Sequence, residues 1–204
     1  VHIAIEGNIG VGKTTLARML AKSLNARLVL EDFSDNPFLP SFYENPEKFA
    51  FPLEMSFMAQ RFLQWREAMD SDLFQPIVVS DYHFDKSLLF ASHTLSSDVY
   101  PMFRKLSLQL SSSLRKPDVL IFLRSPVDRL LEKIDERGRE YEKGITSDYL
   151  LKVEEVYHNW LNHQRDVGVL HLTIRKKYIT EQLSVIELID LIHSVFDSKE
   201  VQKI

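Results

Sequence analysis

Gly7-Asn8-Ile9-Gly10-Val11-Gly12-Lys13-Thr14 satisfies the pattern G-x-x-x-x-G-K-[ST] and lies between a short apolar run and a segment of helical period. Three of the chain's six glycines fall here. Glycines let successive backbone N–H groups turn inward around phosphate oxygens, and the helix that follows adds the partial positive charge of its N-terminus. Lys13 is placed to counter charge on β- and γ-phosphates, and the Thr14 hydroxyl is a ligand for Mg²⁺. The nucleotide-binding candidates are therefore Gly7, Asn8, Ile9, Gly10, Val11, Gly12, Lys13, Thr14 and Thr15.

Two acids stand where apolar runs end. Glu31 closes the run from Arg27, where a carboxylate could accept a proton during phosphoryl transfer or could simply cap the loop that Asp32, Ser34 and Asp35 continue. Asp81 follows Pro76–Ser80 and can hold Mg²⁺ through water or assist as base. Arg137 and Arg139 flank Gly138 in a polar stretch that reads as a lid, their planar donors suited to phosphate oxygens. A solvated helix end is the plainer alternative for them. Glu54 and Arg61, seven residues apart, share one helix face. Met55, Phe57, Met58 and Phe62 beside them serve either as pocket walls or as core.

Parallel strands with helical crossovers would position these groups. The strands read as His2–Glu6, Arg27–Glu31, Pro76–Ser80, Asp118–Leu123 and Val169–Ile174. Helical spacing covers Lys13–Leu24, Pro52–Asp70, Phe84–Leu95, Asp98–Leu114, Val127–Arg137, Ser147–Gln164 and Glu181–Phe196. The class is α/β, and no repeat or Gly/Ser linker divides the chain, so one domain is expected over residues 1–204, with the lid at about 137–146.

With 25 basic against 29 acidic residues the net charge is −4, which supplies no overall positive field for a polynucleotide or an anionic membrane. The absence of cysteine removes disulfides, thiolate metal sites and a cysteine nucleophile. With no long apolar run and no signal-like start, a cytoplasmic protein is expected. The run ending at Leu123 leads into Arg124-Ser125-Pro126-Val127-Asp128 rather than a guanine-reading motif, which argues against a GTPase switch.

The string Glu6–Thr15, Glu31, Tyr43-Glu44-Asn45-Pro46-Glu47 and Arg137-Gly138-Arg139-Glu140-Tyr141-Glu142-Lys143-Gly144-Ile145 together resemble the deoxyribonucleoside kinases, in particular their bacterial deoxyadenosine/deoxyguanosine kinase branch. The resemblance spans nearly the whole chain. It implies a P-loop kinase fold whose five parallel strands run in the order 2-3-1-4-5, flanked by helices, and a homodimer. It also implies that Glu31 faces the nucleoside 5′-hydroxyl and that Glu142 turns inward to pair with Tyr43 on the sugar 3′-hydroxyl.

Where the family usually has an acid followed by Arg and Ser, this chain reads Ser80-Asp81-Tyr82-His83-Phe84-Asp85-Lys86-Ser87, so Lys86 or Arg61 is the candidate for the missing charge. The family has Gln where Glu54 stands. An ionised Glu only accepts hydrogen bonds, which favours bases presenting N–H groups. Arg61 and Asp85 would complete the base pocket. Tyr178, in Arg175-Lys176-Lys177-Tyr178, falls where the family's adenine-contacting loop lies and could stack on the donor's adenine; a solvated basic turn is the alternative.

The expected reaction is ATP- and Mg²⁺-dependent phosphorylation of the 5′-hydroxyl of purine deoxyribonucleosides, with deoxyadenosine ahead of deoxyguanosine and deoxycytidine as a further acceptor. The alternatives are a thymidylate kinase and a P-loop nucleotide-binding switch that transfers nothing.

Overall fold

A computed structural model of the chain describes residues 1–32, 36–69, 76–164, 167–175, 182–198 and 201–203. The chain forms two compact units, Val1–Leu30 with Asp72–His83 and Lys116–Ile204, and Glu31–Ser71 with Phe84–Arg115.

The first unit is built on an all-parallel sheet. Its strands are β1 (His2–Gly7), β2 (Arg27–Val29), β3 (Val78–Ser80), β4 (Val119–Arg124), β5 (Gly168–Thr173) and β6 (Val201–Lys203), in the order β2-β3-β1-β4-β5-β6. The first five follow the expected order; β6 is an addition, pairing in parallel along β5 with Val169 opposite Val201. Every residue of the central β1 is buried, as a strand covered on both faces requires. Ile3, Ile5, Leu16, Leu20, Ile121 and Leu170 belong to the core that joins the sheet to its helices. Those helices are α1 (Lys13–Ser23), α6 (Val127–Arg137), α7 (Ser147–Leu161) and α8 (Val185–Ser198). Because β1 and β3 are neighbours, with Ala4 opposite Ser80, the loop after Gly7 and the exit at Asp81 share one carboxyl edge of the sheet.

The second unit is helical: α2 (Leu39–Glu44), α3 (Pro46–Met69), α4 (Lys86–Thr94) and α5 (Tyr100–Ser111). Its core gathers Met58, Phe84, Ala91, Leu95 and Phe103, with Met55 and Phe62 packed at its margin. The expected start of the long helix at Pro52 is corrected to Pro46. Asn45 caps that end, its Oδ1 accepting the Lys48 N–H at 3.2 Å, and Pro46 occupies the first turn where a missing N–H costs nothing. Pro52 is carried inside the helix instead. Glu31 likewise falls past its strand, since β2 ends at Val29.

Candidate active site

The phosphate loop of the first unit is shaped by its glycines. Gly12 holds φ +103 at the head of α1, and a Cβ on Gly7 would lie 2.4 Å from the Leu123 carbonyl oxygen of the neighbouring strand. Lys13 Nζ donates to the carbonyls of Gly7 and Asn8 at 2.8 and 2.9 Å, so the ammonium is drawn over the loop. Asn8 ties the loop to α7, its Nδ2 donating to the Leu150 carbonyl at 2.8 Å. Thr14 Oγ1 donates to Asp81 Oδ2 at 2.5 Å. A hydroxyl and a carboxylate in contact are hard oxygen ligands of the kind Mg²⁺ takes alongside phosphate oxygens, so the pair fits that ion. Among the described residues no cluster of three His, Cys, Asp or Glu offers a metal site of its own.

Beneath the loop lies a residue to which the sequence reading assigned no role. Glu6 is fully buried at the end of β1; its Oε1 accepts the His83 backbone N–H at 2.6 Å and its Oε2 the Tyr157 hydroxyl at 2.7 Å. This carboxylate therefore clamps three segments: the start of the loop, the chain two residues beyond Asp81, and α7. The signal was present, since an acid in an otherwise apolar buried run must find partners. The His83 ring packs 5.6 Å from that of Trp160. Replacing Tyr157 by Phe keeps the ring and strips one charge-assisted hydrogen bond, so unfolding free energy should drop by about 1.5–3 kcal/mol. A denaturant midpoint equal to wild type would contradict the clamp.

In the segment expected to form a lid, α6 ends at Arg137, and Gly138 takes the left-handed conformation that closes the helix, φ +65. A 3₁₀ turn, Glu140–Glu142, then brings Glu142 back, buried. Arg137 binds both its oxygens, Nη2 at 2.6 and 2.7 Å and Nε at 3.0 Å, and Arg139 reaches Oε1 at 3.4 Å. The two arginines thus converge on one carboxylate of the same segment. The side chain of Tyr43, expected to act with Glu142, lies outside the described residues. Tyr178 lies outside the described residues.

The second unit holds a buried charge cluster. Arg61 donates to Glu31 Oε1 through Nε at 2.9 Å and Nη2 at 2.7 Å, Lys86 pairs with Glu31 Oε2, and Arg61 Nη1 reaches Ser87 Oγ at 2.9 Å. Arg61 also lies over the Phe57 ring at 5.2 Å. Arg61 and Lys86, the two alternatives for the missing charge, are both on the same acid. Burial alone would raise the Glu31 pKa, but the charges and hydrogen bonds of Lys86 and Arg61 overcome it and lower it to about 2. Asp85 opens α4, its backbone carbonyl accepting from Leu88 and Leu89.

Glu54 departs from expectation. It is buried in α3, accepts from Thr94 Oγ1 at 2.7 Å, and burial raises its pKa to about 7 against the smaller opposing effects of Thr94, Arg61 and Lys86. Burial thus works against the ionised form in which the sequence reading took Glu54 to accept hydrogen bonds.

These two acids slope stability in opposite directions. Glu31, depressed when folded, stabilises above its unfolded value of 4.5 and loses that contribution as pH falls towards about 2. Glu54, raised when folded, keeps a proton that the unfolded chain has released, so stability falls as pH rises from 4.5 through about 7. Denaturant unfolding of Glu54→Gln against wild type should show wild type losing on the order of 3 kcal/mol relative to the variant between about pH 5 and about pH 8. Parallel curves would contradict it.

A family model described as deoxynucleoside kinase matches residues 3–197. The chain is 41 % identical over 150 residues to a deoxyguanosine kinase of Bacillus subtilis (strain 168), covering 72 % of each. It is 34 % identical over 187 residues to a deoxyadenosine kinase of Dictyostelium discoideum, covering 90 % of this chain and 76 % of the relative. The solved deoxyadenosine kinase from M. mycoides with bound dCTP superposes with a TM-score of 0.77 at 20 % identity, covering 97 % of this chain and 100 % of that one.

Proposed function

The chain belongs to the deoxynucleoside kinase family, and from that premise we propose that it moves the γ-phosphoryl of ATP to the 5′-hydroxyl of purine deoxyribonucleosides. Deoxyadenosine stands ahead of deoxyguanosine by a small margin at neutral pH, and deoxycytidine is a further acceptor. The observation that carries this reading is Glu31, a buried carboxylate paired with two cations, which lower its pKa to about 2, two residues past the end of β2.

In the reaction the 5′-oxygen bonds to the γ-phosphorus, the bond from that phosphorus to the bridging oxygen breaks, and ADP leaves. A carboxylate with a pKa of about 2 is a weak base in the ground state. Its first task is to accept the hydrogen bond of the 5′-hydroxyl and aim the oxygen; it takes the proton late, when transfer has made that oxygen acidic. The phosphate loop, Gly7–Thr15, cradles the triphosphate and Lys13 counters its charge. Thr14 and Asp81 would hold Mg²⁺, which neutralises phosphate charge when bound.

Arg137 and Arg139 exchange Glu142 for phosphate oxygens as the lid closes, releasing Glu142 to bracket the sugar 3′-hydroxyl with Tyr43. Arg61, Asp85 and Glu54 face the base, and Tyr178 stacks on the adenine of ATP. Met102 and Leu106, four residues apart on α5 and both exposed, suit a homodimer contact. A chain without cysteine fits the reducing cytoplasm, and among the described residues no helix is long and apolar enough to cross a membrane.

The test is a panel of the four deoxynucleosides and their monophosphates with γ-labelled ATP. Label should appear in the 5′-monophosphates of deoxyadenosine and deoxyguanosine. Turnover of dTMP with indifference to the purine nucleosides would replace the reading by a monophosphate kinase, and ATP bound but never consumed would replace it by a switch.

A further inference from the structure

One carboxyl oxygen in the second unit lacks a partner. Glu54 is 3 % exposed, its Oε1 is engaged by Thr94, and its Oε2 is shielded from solvent with no hydrogen-bond partner among the described residues. Native folds rarely leave such an atom unpaired, and where one persists it asks for a reason beyond packing. The groups acting on it are Arg61 from its own helix, Lys86 and the Thr94 hydroxyl from α4, and Glu31 from the segment ahead of α2. Both cations are already engaged by Glu31.

A neutral carboxylic acid offers one donor beside one acceptor, whereas a carboxylate offers two acceptors. The pairing edge of adenine presents the N6 amino donor beside the N1 acceptor. That of guanine presents two donors, N1–H and the N2 amino group. We infer that Glu54 chooses between the two purines by its own protonation, the acid form pairing with adenine and the carboxylate with guanine. With the proton on the unpartnered Oε2, that oxygen donates to adenine N1 while Oε1 keeps a lone pair for the N6 amino group. Without the proton, both oxygens accept from guanine. An amide at this position would have a fixed donor and acceptor and no such choice. The inference rests on the purine kinase reading above. It makes Glu54 a specificity-determining residue whose preference follows pH, burial having raised its pKa to about 7.

The experiment measures kcat/KM for deoxyguanosine and for deoxyadenosine with saturating MgATP. In the wild-type protein the deoxyguanosine-to-deoxyadenosine ratio should rise with pH, by at least about 30-fold between about pH 6 and about pH 8.5, because the ratio of carboxylate to acid grows about tenfold per pH unit. Glu54→Gln should hold that ratio flat. Thr94→Val, which removes a hydrogen bond that favours ionisation, should keep the rise and move it to higher pH. Both purines turned over with a wild-type ratio that stays within about twofold across the same range would overturn the inference and leave the function reading standing. The same slope in Glu54→Gln would do likewise. Failure to phosphorylate either purine at any pH would bring down both.

Discussion

Glu31→Gln should lower kcat by about 10²- to 10⁴-fold, with the affinity for ATP little changed. The amide still fits the site, but it cannot take the hydroxyl proton, and it presents one acceptor where two cations have been accommodated. Arg61 and Lys86, both buried, would then share a neutral partner, so the variant should also lose about 3–5 kcal/mol of stability. Glu31→Asp separates the two effects: it keeps the charge near both cations but withdraws the carboxylate by one methylene, so its melting should stay close to wild type while kcat still falls by more than about tenfold. Rates measured on folded protein, checked by circular dichroism, decide the matter. A folded Glu31→Gln enzyme with near-normal kcat would move the proton-accepting role to Asp81. The low pKa adds a second signature: no acid limb from Glu31 should enter the kcat/KM profile of the wild type between about pH 5 and about pH 8.

Lys13→Met should lower kcat/KM by at least about 10²- to 10³-fold, the scale on which removing one preorganised donor to a developing charge is felt. The ammonium presently bridges the Gly7 and Asn8 carbonyls, so its loss removes both the positive charge and the contact that draws the loop's two first carbonyls to one point. Binding of the nucleoside alone should be unaffected, because Glu31, Arg61 and Lys86 are untouched. Calorimetric titration with deoxyadenosine, set beside steady-state rates, separates the two effects. A variant that retained wild-type turnover would remove Lys13 from the transfer step.

The local parts of this protein were legible in its sequence. The phosphate loop reads from eight consecutive residues because glycine, lysine and threonine do separate jobs in a fixed order there. The five long-recognised strands read from short β-branched runs because a parallel sheet covered on both faces needs them apolar. The strand order came only with the resemblance, since pairing is a choice among distant segments. β6 carries three residues and no alternation to betray it. Pro52 misled because proline at a helix start and proline tolerated within one look alike, until Asn45-Pro46 is weighed as the better opening.

Charge partners were the least legible. Glu31, Arg61 and Lys86 were each singled out, yet for different tasks, and their meeting is a tertiary fact across 30 and 55 residues. Glu142 is only five residues from Arg137, but Gly138 ends the helix between them, so no helical spacing announces the pair. Glu54 was singled out as an ionised acceptor, whereas burial raises its pKa to about 7, and sequence position carries no measure of how deeply the fold buries a residue.

The most direct measurement is a crystal structure of the protein with deoxyadenosine and a non-hydrolysable ATP analogue bound together. The account predicts a Glu31 carboxylate oxygen within hydrogen-bond distance of the nucleoside 5′-oxygen, with that oxygen in line with the γ-phosphorus held by the Gly7–Thr14 loop. A carboxylate still locked on Arg61 and Lys86 and turned from the acceptor oxygen, with another acid in its place, would contradict it.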